Sequence, residues 1–171
     1  MADTSLAASR EEKALVADLH HMTFLTADLD RLIAFYERIF DAQVTLDRTV
    51  NGLRHAFIEI GPHTLLHPFE VTASKIPGRQ PIFERGRLDH FALNATSAEA
   101  FLEIRRRLIA EDAHATEDGL VTDMGAMWSL SFHDPDDAWQ EVIWVKPDAS
   151  LDDFKDPDEW EMIDPGATGA P

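Results

Sequence analysis

The chain has 171 residues, 44% of them hydrophobic and 27% charged, a balance that suits one globular domain or two small modules and excludes a disordered chain. Its formal net charge of -17 repels phosphate backbones, which argues against a nucleic-acid partner and for a solubilising acidic surface. Cysteine is absent, so disulfides and thiolate ligands are excluded, and any metal would have to be held by imidazole and carboxylate. No run reaches the roughly 18 apolar residues of a membrane span. The polar start, with Arg10, Glu11, Glu12 and Lys13, has no apolar segment behind it, so a cytoplasmic location is expected rather than secretion or a membrane.

Residues 1–18 read as an N-terminal extension. Residues 19–25 are short and β-prone, and contain His20 and His21. Thr26-Ala27-Asp28 is a turn with a capping residue. Leu29, Leu32, Ile33, Tyr36, Ile39 and Phe40 then follow helical spacing, which predicts a helix with one buried face. Three strands are expected at 42–46, 53–60 and 64–71, with turn signals at Asn51-Gly52 and Gly61-Pro62. Residues 72–87, rich in Pro, Gly and basic side chains, read as a linker. The pattern then returns. A strand is expected over 88–93, a helix from Ser97 carrying Phe101, Ile104 and Leu108, and strands over 116–121, 127–132 and 139–145. Residues 147–171 form an acidic tail with the single Lys155 among its carboxylates. It is expected to dock through Phe154, Trp160 and Met162, and to be disordered beyond Pro165.

The halves superpose. With His21 laid on His90, the same offset brings Phe24 to Leu93, Asp28 to Ser97, Leu32 to Phe101, Phe35 to Ile104 and Ile39 to Leu108. Cap falls on cap and core on core, the signature of an internally duplicated β-α-β-β-β unit over 19–71 and 88–146.

Three local runs on this frame resemble the vicinal oxygen chelate superfamily, the group of glyoxalases, bleomycin-resistance proteins and extradiol dioxygenases. They are His21-Met22-Thr23-Phe24 with Ala27-Asp28-Leu29-Asp30-Arg31, then Leu88-Asp89-His90-Phe91-Ala92, then Asp134-Pro135-Asp136 with Glu141 beyond it. The resemblance departs from the family at Asp137-Ala138, where Gly-Asn is usual. It implies an α+β fold in which tandem βαβββ modules curl an open mixed sheet into a cup, with the helices outside. It also implies a divalent metal held by His21, His90 and Glu141. Superposing Phe57-Ile58 on Ser131-Phe132 puts His67 on Glu141, so His67 is the fourth candidate, where the glyoxalases usually carry Glu.

Two imidazoles and one carboxylate leave open positions on an octahedral ion, to which a substrate can bind through adjacent oxygens; Fe, Zn, Ni, Co and Mn all suit such donors. The resemblance thus implies a metalloenzyme on a small substrate, a glyoxalase-like lyase or isomerase or a dioxygenase, with Glu141 as the catalytic carboxylate. Ring-cleaving dioxygenases add a Tyr where this chain has Ser131, and His67 departs from the glyoxalases. The alternative is a non-catalytic, antibiotic-sequestering protein, with which four Trp are compatible. A homodimer is implied, with ligands drawn from one chain or two. His20 is expected on the face opposite His21, and His55, His63, His114 and His133 in loops or at the surface. Glu70 competes with His67 as a ligand. Met127, Trp128 and Phe132 line the cup or pack in the core.

Overall fold

The computed structural model of the chain describes residues 20–72 and 89–166, so the N-terminal extension, nearly all of the linker, and the tail beyond Gly166 lie outside the described residues. The order is β1 (His21–Thr26), α1 (Leu29–Phe40), β2 (Gln43–Val50), β3 (Leu53–Gly61), β4 (Thr64–Glu70), β5 (Ala92–Asn94), α2 (Ala98–Ala110), β6 (Val121–Asp123), β7 (Met127–His133), β8 (Trp139–Val145) and β9 (Glu161–Ile163). Strands β1-β4-β3-β2 form one mixed sheet and β5-β8-β7-β6-β9 the other. In each, one parallel pair (β1 with β4, β5 with β8) sits beside antiparallel neighbours. The fold is α+β.

Both helices start where the sequence supplies a cap. The Asp28 carboxylate accepts from the Arg31 N–H, and the Ser97 hydroxyl from the Ala100 N–H. Between β2 and β3, Asn51 and Gly52 take positive φ (53° and 80°), the backbone a two-residue hairpin requires.

Strand alternation divides each sheet into two faces. Ala56, Ile58 and Leu66 from the first sheet, and Leu130, Phe132 and Val142 from the second, are fully buried and share one core with Leu32, Tyr36 and Phe101 of the helices. Phe132 of β7 packs on Phe35 and Phe40 of α1, with ring centroids at 6.2 and 5.5 Å. Arg107 of α2 donates to the Arg38 and Ile39 carbonyls and pairs with Asp41. The helix-covered faces of the two sheets therefore meet in the middle, and the other two faces look outward. Leu25, Val50, Leu53, Val145 and Met162, all at least 40% exposed, stand on those outward faces.

Three expectations need correction. Residues 116–121 are not a strand: Glu117–Gly119 is a 3-10 turn in which Asp118 and Gly119 have φ of 50° and 65°, and the paired strand covers only Val121–Asp123. The strand expected at 88–93 is regular only over Ala92–Asn94, although the Phe91 carbonyl still accepts from the Glu141 N–H. The tail docks by a strand rather than by its large side chains. β9 pairs antiparallel with β6 and lays Ile163 on the core, while Phe154, Trp160 and Met162 remain 44%, 42% and 50% exposed.

Candidate metal centre

Glu141 lies on the outward face of β8, aligned with Ala92 of β5. Two residues before Ala92, His90 reaches the same face, with Nε2 3.6 Å from Glu141 Oε2. His90 Nδ1 lies 2.8 Å from the Asp89 carboxylate. An ionised carboxylate can only accept, so Nδ1 donates to Asp89 and Nε2 is the ring nitrogen on the side of Glu141. The Ser129 hydroxyl donates to Glu141 Oε1 in a short contact, which leaves Oε2 as the free ligand atom. Ser131 is directly across the ladder from Glu141. Both donor atoms are thus aimed by a second layer of hydrogen bonds.

The first sheet carries a histidine cluster. His21 of β1 lies edge-on to His67 of β4, with ring centroids 5.3 Å apart. His67 sits between Phe57 and Phe69, at 4.3 and 4.5 Å. Its Nε2 is 2.9 Å from Nδ1 of His55, and its own Nδ1 is buried without a partner. Burial, then the neighbouring His55 and His21, hold His67 below the usual histidine range, so the ring is neutral near pH 7. His20, just outside β1, places Nδ1 2.9 Å from Nδ1 of His21.

His55 is not in a loop: it is two positions before Phe57 in β3, and alternation carries both to the outward face. That signal was present in the sequence. Glu70 turns the other way and accepts from the Leu29 N–H at 2.9 Å, so it closes the start of α1 and takes no part in the cluster. Trp128 and Phe132 are core residues, while half-buried Met127 is on the outward face.

The sequence-derived ligands therefore come together in two pairs, His21 with His67 and His90 with Glu141. Among the described residues, no three His, Cys, Asp or Glu side chains of the chain are close enough to hold one ion. The pairs occupy outward faces of different sheets. A groove of about 560 Å³, lined by Arg31, Arg38, His114 and Asp134 among others, contains none of them. The donor types nonetheless fit a divalent ion, as does the oriented Nε2–Oε2 pair.

A profile of the Glyoxalase/Bleomycin resistance protein/Dioxygenase superfamily matches residues 18–142. The chain belongs to this superfamily. Curated protein sequences gave no match. Among solved structures, a glyoxylase/bleomycin resistance protein/dioxygenase domain from Frankia sp. EAN1pec is 19% identical, with a TM-score of 0.63 over 77% of this chain and 99% of that one. A mutant of the fosfomycin resistance protein FosX from Listeria monocytogenes, complexed with Mn(II) and 1S,2S-dihydroxypropylphosphonic acid, is 19% identical, with a TM-score of 0.56 over 81% and 97%. The trypanothione-dependent glyoxalase I of Leishmania major is 21% identical, with a TM-score of 0.53 over 74% and 86%. At these identities the likeness carries the fold.

The superfamily's turn before its last strand is present with a local substitution. Asp134 Oδ1 accepts from the N–H groups of Asp136 and Ala138 at 2.9 Å each. Asp137 takes the left-handed conformation (φ 63°), which aspartate tolerates better than most non-glycine residues. Among the described residues no helix is long and apolar enough to cross a membrane.

Proposed function

We propose that the protein is a metal-dependent, homodimeric and cytoplasmic enzyme of this superfamily, acting on a small substrate held through two adjacent oxygens. In this reading, residues 19–71 of one copy and 88–146 of another each form half of a cup. His21 and His67 come from the first copy, His90 and Glu141 from the second, and together they hold one divalent ion (Zn, Fe, Ni, Co or Mn). The observation that carries the proposal is the His90–Glu141 pair, with Asp89 fixing one ring nitrogen and Ser129 one carboxylate oxygen. Such outer hydrogen bonds are the usual companions of metal-ligating side chains.

The bound ion supplies Lewis-acid stabilisation of charge on the substrate oxygens. The chain supplies the rest. Asp89 maintains the tautomer of His90, and the hydrogen bond from Ser129 leaves Glu141 Oε2 as the oxygen that would hold the ion, free to take a substrate proton only on leaving it. Phe57 and Phe69 wall the histidines and exclude water on that side. Ser131, facing Glu141 where ring-cleaving dioxygenases carry Tyr, favours lyase, isomerase or epoxide-opening chemistry. A non-catalytic binding protein is the second reading, favoured by the exposed apolar side chains of the outward faces. It leaves the oriented His90 and Glu141 without a purpose.

Elemental analysis of protein stripped and reloaded by dialysis tests the proposal. About one divalent ion per chain is expected in the wild type, with loss of the ion in Glu141→Ala and in His90→Ala. A wild-type chain that takes up no ion overturns it.

A further inference from the structure

We propose that Arg48 clamps an anionic group of the substrate, so that the substrate is a small organic acid: two adjacent oxygens for the ion, and a carboxylate or phosphonate carried beyond them. The inference rests on the proposed metal centre and names the class of molecule it receives.

Arg48 belongs to β2 and is paired in register with His55 of β3. Residues directly opposite each other on an antiparallel pair share a face. Arg48 therefore stands on the outward face, beside the His55–His67 contact. Its neighbours on that face are apolar, with Leu46 opposite Phe57 on one side and Val50 opposite Leu53 on the other. β2 is two strands from β4, roughly 10 Å at the usual strand spacing. A molecule chelated beside His67 thus has to extend only a few bonds to meet the guanidinium.

That guanidinium is also unclaimed. The chain has 32 Asp and Glu against 15 Lys and Arg, so a cation finds a carboxylate easily. Among the described residues every other arginine and lysine does so, from Arg31 with Asp136 to Lys155 with Glu161. Arg48, exposed, has no carboxylate partner among the described residues. The planar fork of a guanidinium fits a carboxylate or phosphonate through parallel N–H donors, and the pair strengthens when a bound ligand excludes water from apolar surroundings. A charge on an edge strand can instead serve only to prevent pairing between sheets, and β2 is such an edge. The two roles differ in whether the charge of a ligand matters.

Zinc-loaded full-length protein is titrated by calorimetry with hydroxamates, which chelate an ion through two adjacent oxygens and here differ only at the far end of a short chain: methyl, carboxylate or phosphonate. The wild type is expected to bind at least one of the acids about tenfold or more tighter than the methyl compound, with the advantage shrinking as salt is raised. The tighter acid identifies which anionic group the site takes. Arg48→Gln is expected to bind all three alike while still holding the ion. Arg48→Lys keeps the charge without the fork and should retain only part of the advantage. Circular dichroism and light scattering establish whether the variants fold and assemble as the wild type does. Equal affinities in the wild type, or an advantage that survives in Arg48→Gln, reduce Arg48 to an edge-strand charge and overturn the inference. Loss of the ion or of assembly in Arg48→Gln also overturns it, because Arg48 is then a structural contact. Binding of the methyl compound to loaded but not to stripped protein upholds the parent reading whatever the acids do. If the wild type takes up no zinc, or holds it and binds none of the three, the parent reading itself fails and the inference with it.

Discussion

Asp134 holds both ends of the β7–β8 turn, and its two oxygens have different fates. Oδ1 accepts two backbone N–H groups, whereas Oδ2 is buried with no hydrogen-bond partner. The phenol of Tyr36, fully buried, and Asp136 are close enough to feel its charge. Burial, with Asp136 adding to it, pushes the Asp134 carboxyl up to about 6, against the backbone donors and Arg31, which pull it down. The folded chain therefore keeps this proton to higher pH than the unfolded chain, whose Asp titrates near 3.8. Between those values the native state binds more protons, so its stability falls as pH rises from about 4 through 6 and stays lower above. Asp134→Asn retains the Oδ1 acceptor and removes the titration. Urea unfolding at pH 4.5 and 7.5 is expected to show the wild type losing roughly 2 kcal/mol more than the variant over that interval. Equal losses would count against a buried, proton-holding Asp134.

At the same scale, His21, His90 and Glu141 stand out in the sequence as candidates because a duplication offset and a turn motif mark them. His55 has no counterpart in the second half and lies in no motif. Only alternation from Phe57 would have placed it in the cluster. Which side chains orient these candidates was not legible at all, since the Ser129 contact depends on how two strands pair in register.

Among the elements, the docked tail hinges on one glycine. Gly125, in the β6–β7 turn, has φ of 85°, and a side-chain carbon there would run into the Asp153 carbonyl oxygen and press on the backbone of Lys155. Beside it, the Lys155 N–H donates to the Met124 carbonyl and starts the approach of β9 to β6. Gly125→Ala is expected to cost about 1–3 kcal/mol through the left-handed backbone and the clash. It should also release the tail, seen as faster hydrogen exchange and proteolysis after Asp148 with β7 and β8 still protected. A tail as protected as in the wild type would show that β9 docks without that close approach.

Elements with strong periodicity, α1, β3, β7 and β8, were legible almost to the residue because burial forces the pattern. The misread region at 116–121 contains β-prone Thr116, Leu120 and Val121, but Asp118-Gly119 bends the backbone between them. β9 was hidden for the opposite reason: three residues in a run of carboxylates carry no period, and only the open edge of β6 recruits them.

For the whole molecule, the decisive relation is that α1 and α2 bring the covered faces of both sheets into one core and turn the ligand pairs outward. A single copy then presents two incomplete centres and several exposed apolar side chains. In the proposed dimer, a pair related by a two-fold axis would cover both and close on itself. Each centre of such a pair would draw on two copies of the chain. Two inactive variants, one with His21→Ala and His67→Ala and the other with Glu141→Ala, each lack one half of every centre. Unfolded together in equal amounts and refolded, they are expected to regain about a quarter of the wild-type metal content, because half of the pairs are mixed and each mixed pair owns one intact centre. Refolded separately, they should regain none, and a mixture that stays empty would mean that no centre is shared between subunits.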